Sequence, residues 1–122
     1  MLIEKREMIM MNEAIKNLKD RMIKDYNDWT LRCAKGELSD INERMMAEYA
    51  DGIEFAEGSK YIKVIQNRSA WGFIVATDND KLFKKGDILM AAGWAKPARN
   101  KARGNVFELD GLRVQWTGAN YL

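Results

Sequence analysis

The chain has 122 residues, 47% of them hydrophobic and 31% charged, with one proline, which suits a single hydrophobic core and argues against disorder. It has no histidine and a single cysteine, Cys33. That excludes imidazole proton shuttles and metal ligands, Ser-His and Cys-His nucleophile pairs, an intramolecular disulfide and a thiolate cluster within one chain. The first residues, through Glu7, are too charged for a signal peptide, and no apolar run approaches the ~18 residues of a membrane span. These features predict a cytoplasmic protein that binds and does not catalyse, with no catalytic residue, no metal and no cofactor.

The net charge of +2 is unevenly spread. Residues 1–59 hold 9 Lys/Arg against 13 Asp/Glu, and residues 60–122 hold 11 against 5. Such a split suggests that the second half meets an anion. The plainer alternative is that the two halves attract each other, or the halves of a symmetry mate.

In chain order, the first element is one long helix. Met8, Met11, Ile15, Leu18, Met22, Tyr26, Trp29 and Cys33 recur at gaps of three and four, an apolar stripe of helical period. Gly36 is a natural stop, and Ser39 before Asp40 a natural N-cap for a second helix that carries Ile41, Met45 and Tyr49 inward. Glu37, Asp40 and Glu43 read as the acidic start of that helix. A helix of ~30 residues is ~45 Å long, against a diameter of ~30 Å for a domain this size. Part of the stripe should therefore be covered by a second copy.

The period then changes to two. Strands are expected at Ile53-Glu54-Phe55 and at Tyr61 to Ile65, joined by a turn at Glu57-Gly58-Ser59. The run from Trp71 to Ala76 is apolar on both faces and predicts a central strand. Asp87 could cap a short helix from Ile88 to Gly93. Asp110-Gly111 predicts a hairpin pairing Val106-Phe107-Glu108-Leu109 with Leu112 to Trp116, so that Glu108 faces Arg113. The fold class is α+β: two N-terminal helices, one of them long, then a small, mainly antiparallel sheet with one short helix. The chain reads as a single domain, 1–122, with a helical oligomerisation part (1–51) and a β-rich ligand-binding part (52–122).

The segment 93–105 carries four cations (Lys96, Arg99, Lys101 and Arg103) and no acid, and is expected to be a loop. Arg99 and Arg103 can offer planar forks to phosphate, Asn100 and Asn105 can offer amides to a ribose or base edge, and Gly93 and Gly104 permit close backbone approach. Trp94, with Trp71 and Phe73 on the neighbouring strand, could supply a stacking face. Arg113 and Arg32 are further candidates, although Arg113 has Glu108 as a structural partner and Arg32 could simply complement a helix dipole. A four-cation loop is more often just solvated, and strand tryptophans are more often core. Asp78, Asp80 and Asp87 lack the glycine and closing glutamate of a calcium loop.

Taken together, Lys85-Gly86-Asp87-Ile88-Leu89, Ala92-Gly93-Trp94, Pro97-Ala98-Arg99-Asn100, Ala102-Arg103-Gly104-Asn105 and Trp116-Thr117-Gly118 to Tyr121-Leu122 resemble the first type of Thoeris anti-defence family of tailed phages. The likeness covers residues 60–122; the N-terminal helices match only in being helical. The resemblance implies a non-enzymatic sponge in the host bacterial cytoplasm: a homo-oligomer with dimers formed through helices and assembled into hexamers. It also implies capture, without cleavage, of the cyclic ADP-ribose signal (glycocyclic ADP-ribose) of TIR-domain proteins, some relatives also holding cyclic oligonucleotides. The matched motif carries Trp94, Arg99, Asn100, Arg103 and Asn105 into an inter-protomer pocket; Trp71, Phe73, Arg32 and Arg113 rest on the physical reading above. Two other readings compete. One is a small nucleic-acid-binding protein using the basic loop 96–103, which the modest net charge disfavours. The other is an assembly protein built on the long helix.

Overall fold

Thirty-two consecutive residues, Leu2–Cys33, form α1 of this computed structural model, which describes residues 2–109 and 114–119, with side chains from residue 10 onward. The stripe does what its period demands over its central turns. Met11, Leu18, Met22 and Tyr26 are buried, with Ile15 packed against them. Beyond Tyr26 the stripe leaves the core, and Trp29 and Cys33 are exposed. Gly36 adopts φ +82°, a left-handed conformation that ends the helix at no steric cost to glycine. Ser39 then caps α2, Asp40–Asp51, in a reciprocal box with Asn42. Only Tyr49 of α2 is buried; Ile41 and Met45, expected to point inward, are exposed, since α2 meets the core through Tyr49 and the partly buried Met46.

Five strands follow: β1 (Ile53–Glu57), β2 (Tyr61–Gln66), β3 (Ser69–Val75), β4 (Asp87–Ala91) and β5 (Pro97–Asn105). They pair antiparallel in sequence order, so β3 is central, as its apolar run predicts. The fold is α+β as expected, with a sheet larger than anticipated.

Two local expectations are overturned. Residues 88–93 form no helix: β4 takes 88–91, with Ile88 paired to Ile74 on one side and to Gly104 on the other, and 92–93 enter the following turn. Pairing with two neighbours outweighs weak local helix preference. Asp87, instead of capping a helix, accepts hydrogen bonds from the Lys84 backbone and the Asn105 amide. The segment expected to be a loop is a tight turn at 92–96 followed by a nine-residue strand, β5. The hairpin expected around Asp110-Gly111 falls in large part outside the described residues. Residues 106–109 and 114–116 are turn or irregular, while Asp110, Gly111, Leu112 and Arg113 lie outside the described residues.

The sheet has two unlike faces. On one, Ile62, Val64, Ile74 and Ile88 join Leu18, Met22 and Tyr26 of α1 in the main core. The C-terminal segment closes that core: Ala119 N–H donates to Trp71 O, Trp116 N–H to Asp25, and Arg21 to Leu109 O. On the other, Phe73, Val75 and Leu89 form a second, smaller cluster with Tyr61, Phe83, Ala91 and Ala102 around it.

Candidate functional site

The second face holds the candidate site. Strand pairing sets Lys63 opposite Phe73, and Phe73 opposite Leu89, so these three share a side of the sheet. Tyr61, two residues before Lys63, lies on the same side and meets the Phe73 ring edge-on at 6.0 Å between centroids. The β4–β5 turn, closed by Ala92 and Gly93 N–H groups on Lys96 O, delivers Trp94 over this face. Trp94 is 54% exposed, and the Lys63 ammonium lies 4.0 Å from its ring centroid. Among the described residues no carboxylate pairs with Lys63.

Arg99, on β5, is held more firmly than a ligand-binding fork would be. Its two terminal nitrogens each meet one oxygen of Asp80 at 2.9 Å, one of them also reaches the Tyr61 hydroxyl, and the guanidinium lies 5.0 Å from the Phe83 ring. The Asp80 side chain is 1% exposed and also accepts from the Leu82 and Phe83 backbone amides. Hydrogen bonds from Arg99, then from the Leu82 amide, hold the Asp80 carboxyl well below the usual carboxylate range. The same pairing raises Arg99, with Asp80 as the main cause. Arg99 therefore anchors the loop 76–86 to the sheet edge.

The other candidates separate. Arg103 is buried, 4% exposed, with one nitrogen 3.5 Å from the Asn100 amide oxygen, and Asn100 itself is exposed. Asn105 ties the turn before β4, donating to Lys85 O and Asp87 and accepting from Phe107 N–H. Phe73 is buried beneath Tyr61 and Lys63, so its ring supports the face without being offered to a ligand. Trp71 is buried in the main core and donates to Gln115 O. A bulge explains this: Val64 pairs with Gly72 and Ile65 with Ala70, leaving Trp71 as the extra residue, re-aimed toward α1. Arg32 is exposed in the last turn of α1, which packs on the opposite face, and suits the helix dipole there. Arg113 lies outside the described residues.

The structure thus gathers Trp94 and Arg99 on one face, and adds Lys63 and Tyr61, which sequence reading passed over. A period-two pattern did put Tyr61 and Lys63 on one side of a strand; what it lacked was the knowledge that Trp94 folds back over them. The site is an open surface. Two recesses lie on the helix side, one of about 410 Å³ between Asn17, Arg21, Lys24 and Phe107, another of about 310 Å³ lined by Trp29, Met45, Tyr49 and Trp116. Among the described residues no cluster of three or more Cys, Asp or Glu is placed to hold a metal ion, and no helix is long and apolar enough to cross a membrane. No protein-family model, no curated protein and no solved structure matches the chain.

Proposed function

We propose that this protein is a non-enzymatic binder of a small anionic nucleotide. Its ligand is a cyclic ADP-ribose-type signal, the glycocyclic form in particular, sequestered in the host bacterial cytoplasm so that TIR-based Thoeris defence is not triggered. The observation that carries the reading is Trp94, an indole more than half exposed on the sheet face away from α1, beside an ammonium that has no carboxylate partner among the described residues. Base stacking on such a ring is worth roughly 1–3 kcal/mol, and a neighbouring cation complements a phosphate. The choice of a cyclic ADP-ribose over other nucleotides comes from the resemblance of residues 60–122 to the anti-defence family. The second wall of the site comes from another protomer, because the described residues leave the Trp94 ring 54% exposed.

Oligomerisation through the helices has its own support. Thirty-two residues of helix span ~48 Å, beyond the ~30 Å of the domain. Trp29, Leu31, Leu38, Ile41 and Met45 are all exposed around the α1–α2 hairpin. Apolar residues gathered in this way mark an association surface. A dimer forms here, and dimers assemble into the hexamer.

Native mass spectrometry tests the proposal. The protein is measured alone, with cyclic ADP-ribose isomers, and with a short oligonucleotide. The expected result is a mass above the monomer, tight binding of a cyclic ADP-ribose, and release of the intact ligand on heating. A hydrolysed product would indicate an enzyme, salt-sensitive binding that grows with strand length would indicate a nucleic-acid binder, and an oligomer with no ligand an assembly protein.

A further inference from the structure

Both arginines that could grip a phosphate are engaged or enclosed. To free Arg99, a ligand would have to strip its fork from Asp80 and leave that carboxylate, 1% exposed, with only two backbone amides as partners. Uncovering a buried charge in this way is strongly unfavourable. Arg103 is buried in the strand. Lys63 differs from both. Its stem is half-buried beside Phe73, its ammonium rests on the Trp94 ring with no carboxylate partner among the described residues, and four flexible carbons let it move without disturbing the sheet.

The ammonium therefore stands over a face of the ring on which a base would stack. We infer that Lys63 is a displaceable guard: a nucleobase takes its place on Trp94, and the released ammonium then meets the phosphates of the same ligand. The inference rests on the proposal that Trp94 belongs to the ligand site. Stacking of a base outweighs an exposed cation–ring contact, so the exchange runs toward the bound state. A nucleoside must evict Lys63 and offers it no anion in return. Inorganic pyrophosphate engages Lys63 but leaves the indole bare. Only a ligand with both parts satisfies both groups, which makes Lys63 a determinant of selectivity for nucleotides over nucleosides.

The test is calorimetric titration of the full chain, and of Lys63→Met, Lys63→Arg and Trp94→Ala, with cyclic ADP-ribose, adenosine and sodium pyrophosphate, at low and high salt. Lys63→Met keeps the apolar stem and removes the charge. It is expected to weaken cyclic ADP-ribose about tenfold or more, to flatten the salt dependence of that binding, and to leave adenosine binding as strong as in the wild type or stronger. Lys63→Arg should retain most of the affinity. If Lys63→Met binds cyclic ADP-ribose as the wild type does while Trp94→Ala does not, the guard is refuted and the site survives. Wild-type binding unaffected by Trp94→Ala, or no binding by any form, overturns the site and the guard together.

Discussion

The two faces of the sheet are built from the same strands and do opposite work. The α1 face is closed by a long helix and by the C-terminal segment, and Leu18, Met22, Ile74 and Ile88 are fully buried there. Among the described residues the far face has a cluster of three buried apolar residues, and above them polar and aromatic groups, Tyr61, Lys63, Trp94, Arg99 and Asp80, held by directional bonds. Apolar burial scales with area and keeps no group in reserve for a ligand. A sparsely covered face can leave rings and charges accessible while a bidentate ion pair keeps their scaffold in place. If the proposed site is right, stability and recognition are divided between the faces, and substitutions on each should show it.

The largest effect is expected on the helix face. Leu18→Ala empties a fully enclosed position and should cost about 2–5 kcal/mol, seen as a fall in the urea midpoint with an unchanged slope. Gly72→Val comes next. A Cβ there would lie 2.8 Å from the Ala119 methyl and 2.9 Å from the Leu89 carbonyl oxygen, both closer than packed atoms tolerate. The sheet or the C-terminal segment must shift, at about 1–3 kcal/mol in the same assay. A Gly72→Val protein as stable as the wild type would mean that the C-terminal segment does not close this face.

On the far face the effects should be smaller and of a different kind. Asp80 binds its proton more weakly in the folded chain than in the unfolded one, because Arg99 and the Leu82 amide stabilise the carboxylate. Its contribution to stability is complete above the ordinary carboxylate pKa of about 4 and is lost progressively as pH falls below it. Asp80→Asn should therefore be less stable than the wild type at neutral pH, and the gap should narrow on acidification, measured as denaturation midpoints across a pH series. A gap independent of pH would show that the ion pair contributes little. The smallest expected change in stability is that of Trp94→Ala, within about 0.5 kcal/mol of the wild type, since the ring is mostly exposed. The same substitution should nevertheless remove most nucleotide affinity. A protein destabilised by several kcal/mol would instead assign Trp94 to the fold.

Much of this architecture is legible in the sequence. The spacing of Met11, Leu18, Met22 and Tyr26 determines the buried side of α1, Gly36 its end, and Ser39 the start of α2. Period-two runs locate β1 and β2, and the run apolar on both faces locates the central β3. These features depend on neighbours within about four residues, where backbone geometry alone sets which side chains share a face.

Other features depend on contacts across the chain. Residues 88–91 and 97–105 have no strong local preference, and they become strands because β3 offers an edge for β4, and β4 one for β5. One extra residue opposite Val64 and Ile65 sends Trp71 into the core while Phe73 faces the other way, an outcome no regular period foretells. The basic segment shows the same limit. Sequence alone placed Trp94, Arg99 and Arg103 together as free groups. Tertiary packing left Trp94 exposed, locked Arg99 to Asp80 from 19 residues away, buried Arg103, and brought Lys63 from β2 to the ring. Charge and residue type are local properties, whereas the availability of a charge depends on what the rest of the fold places beside it.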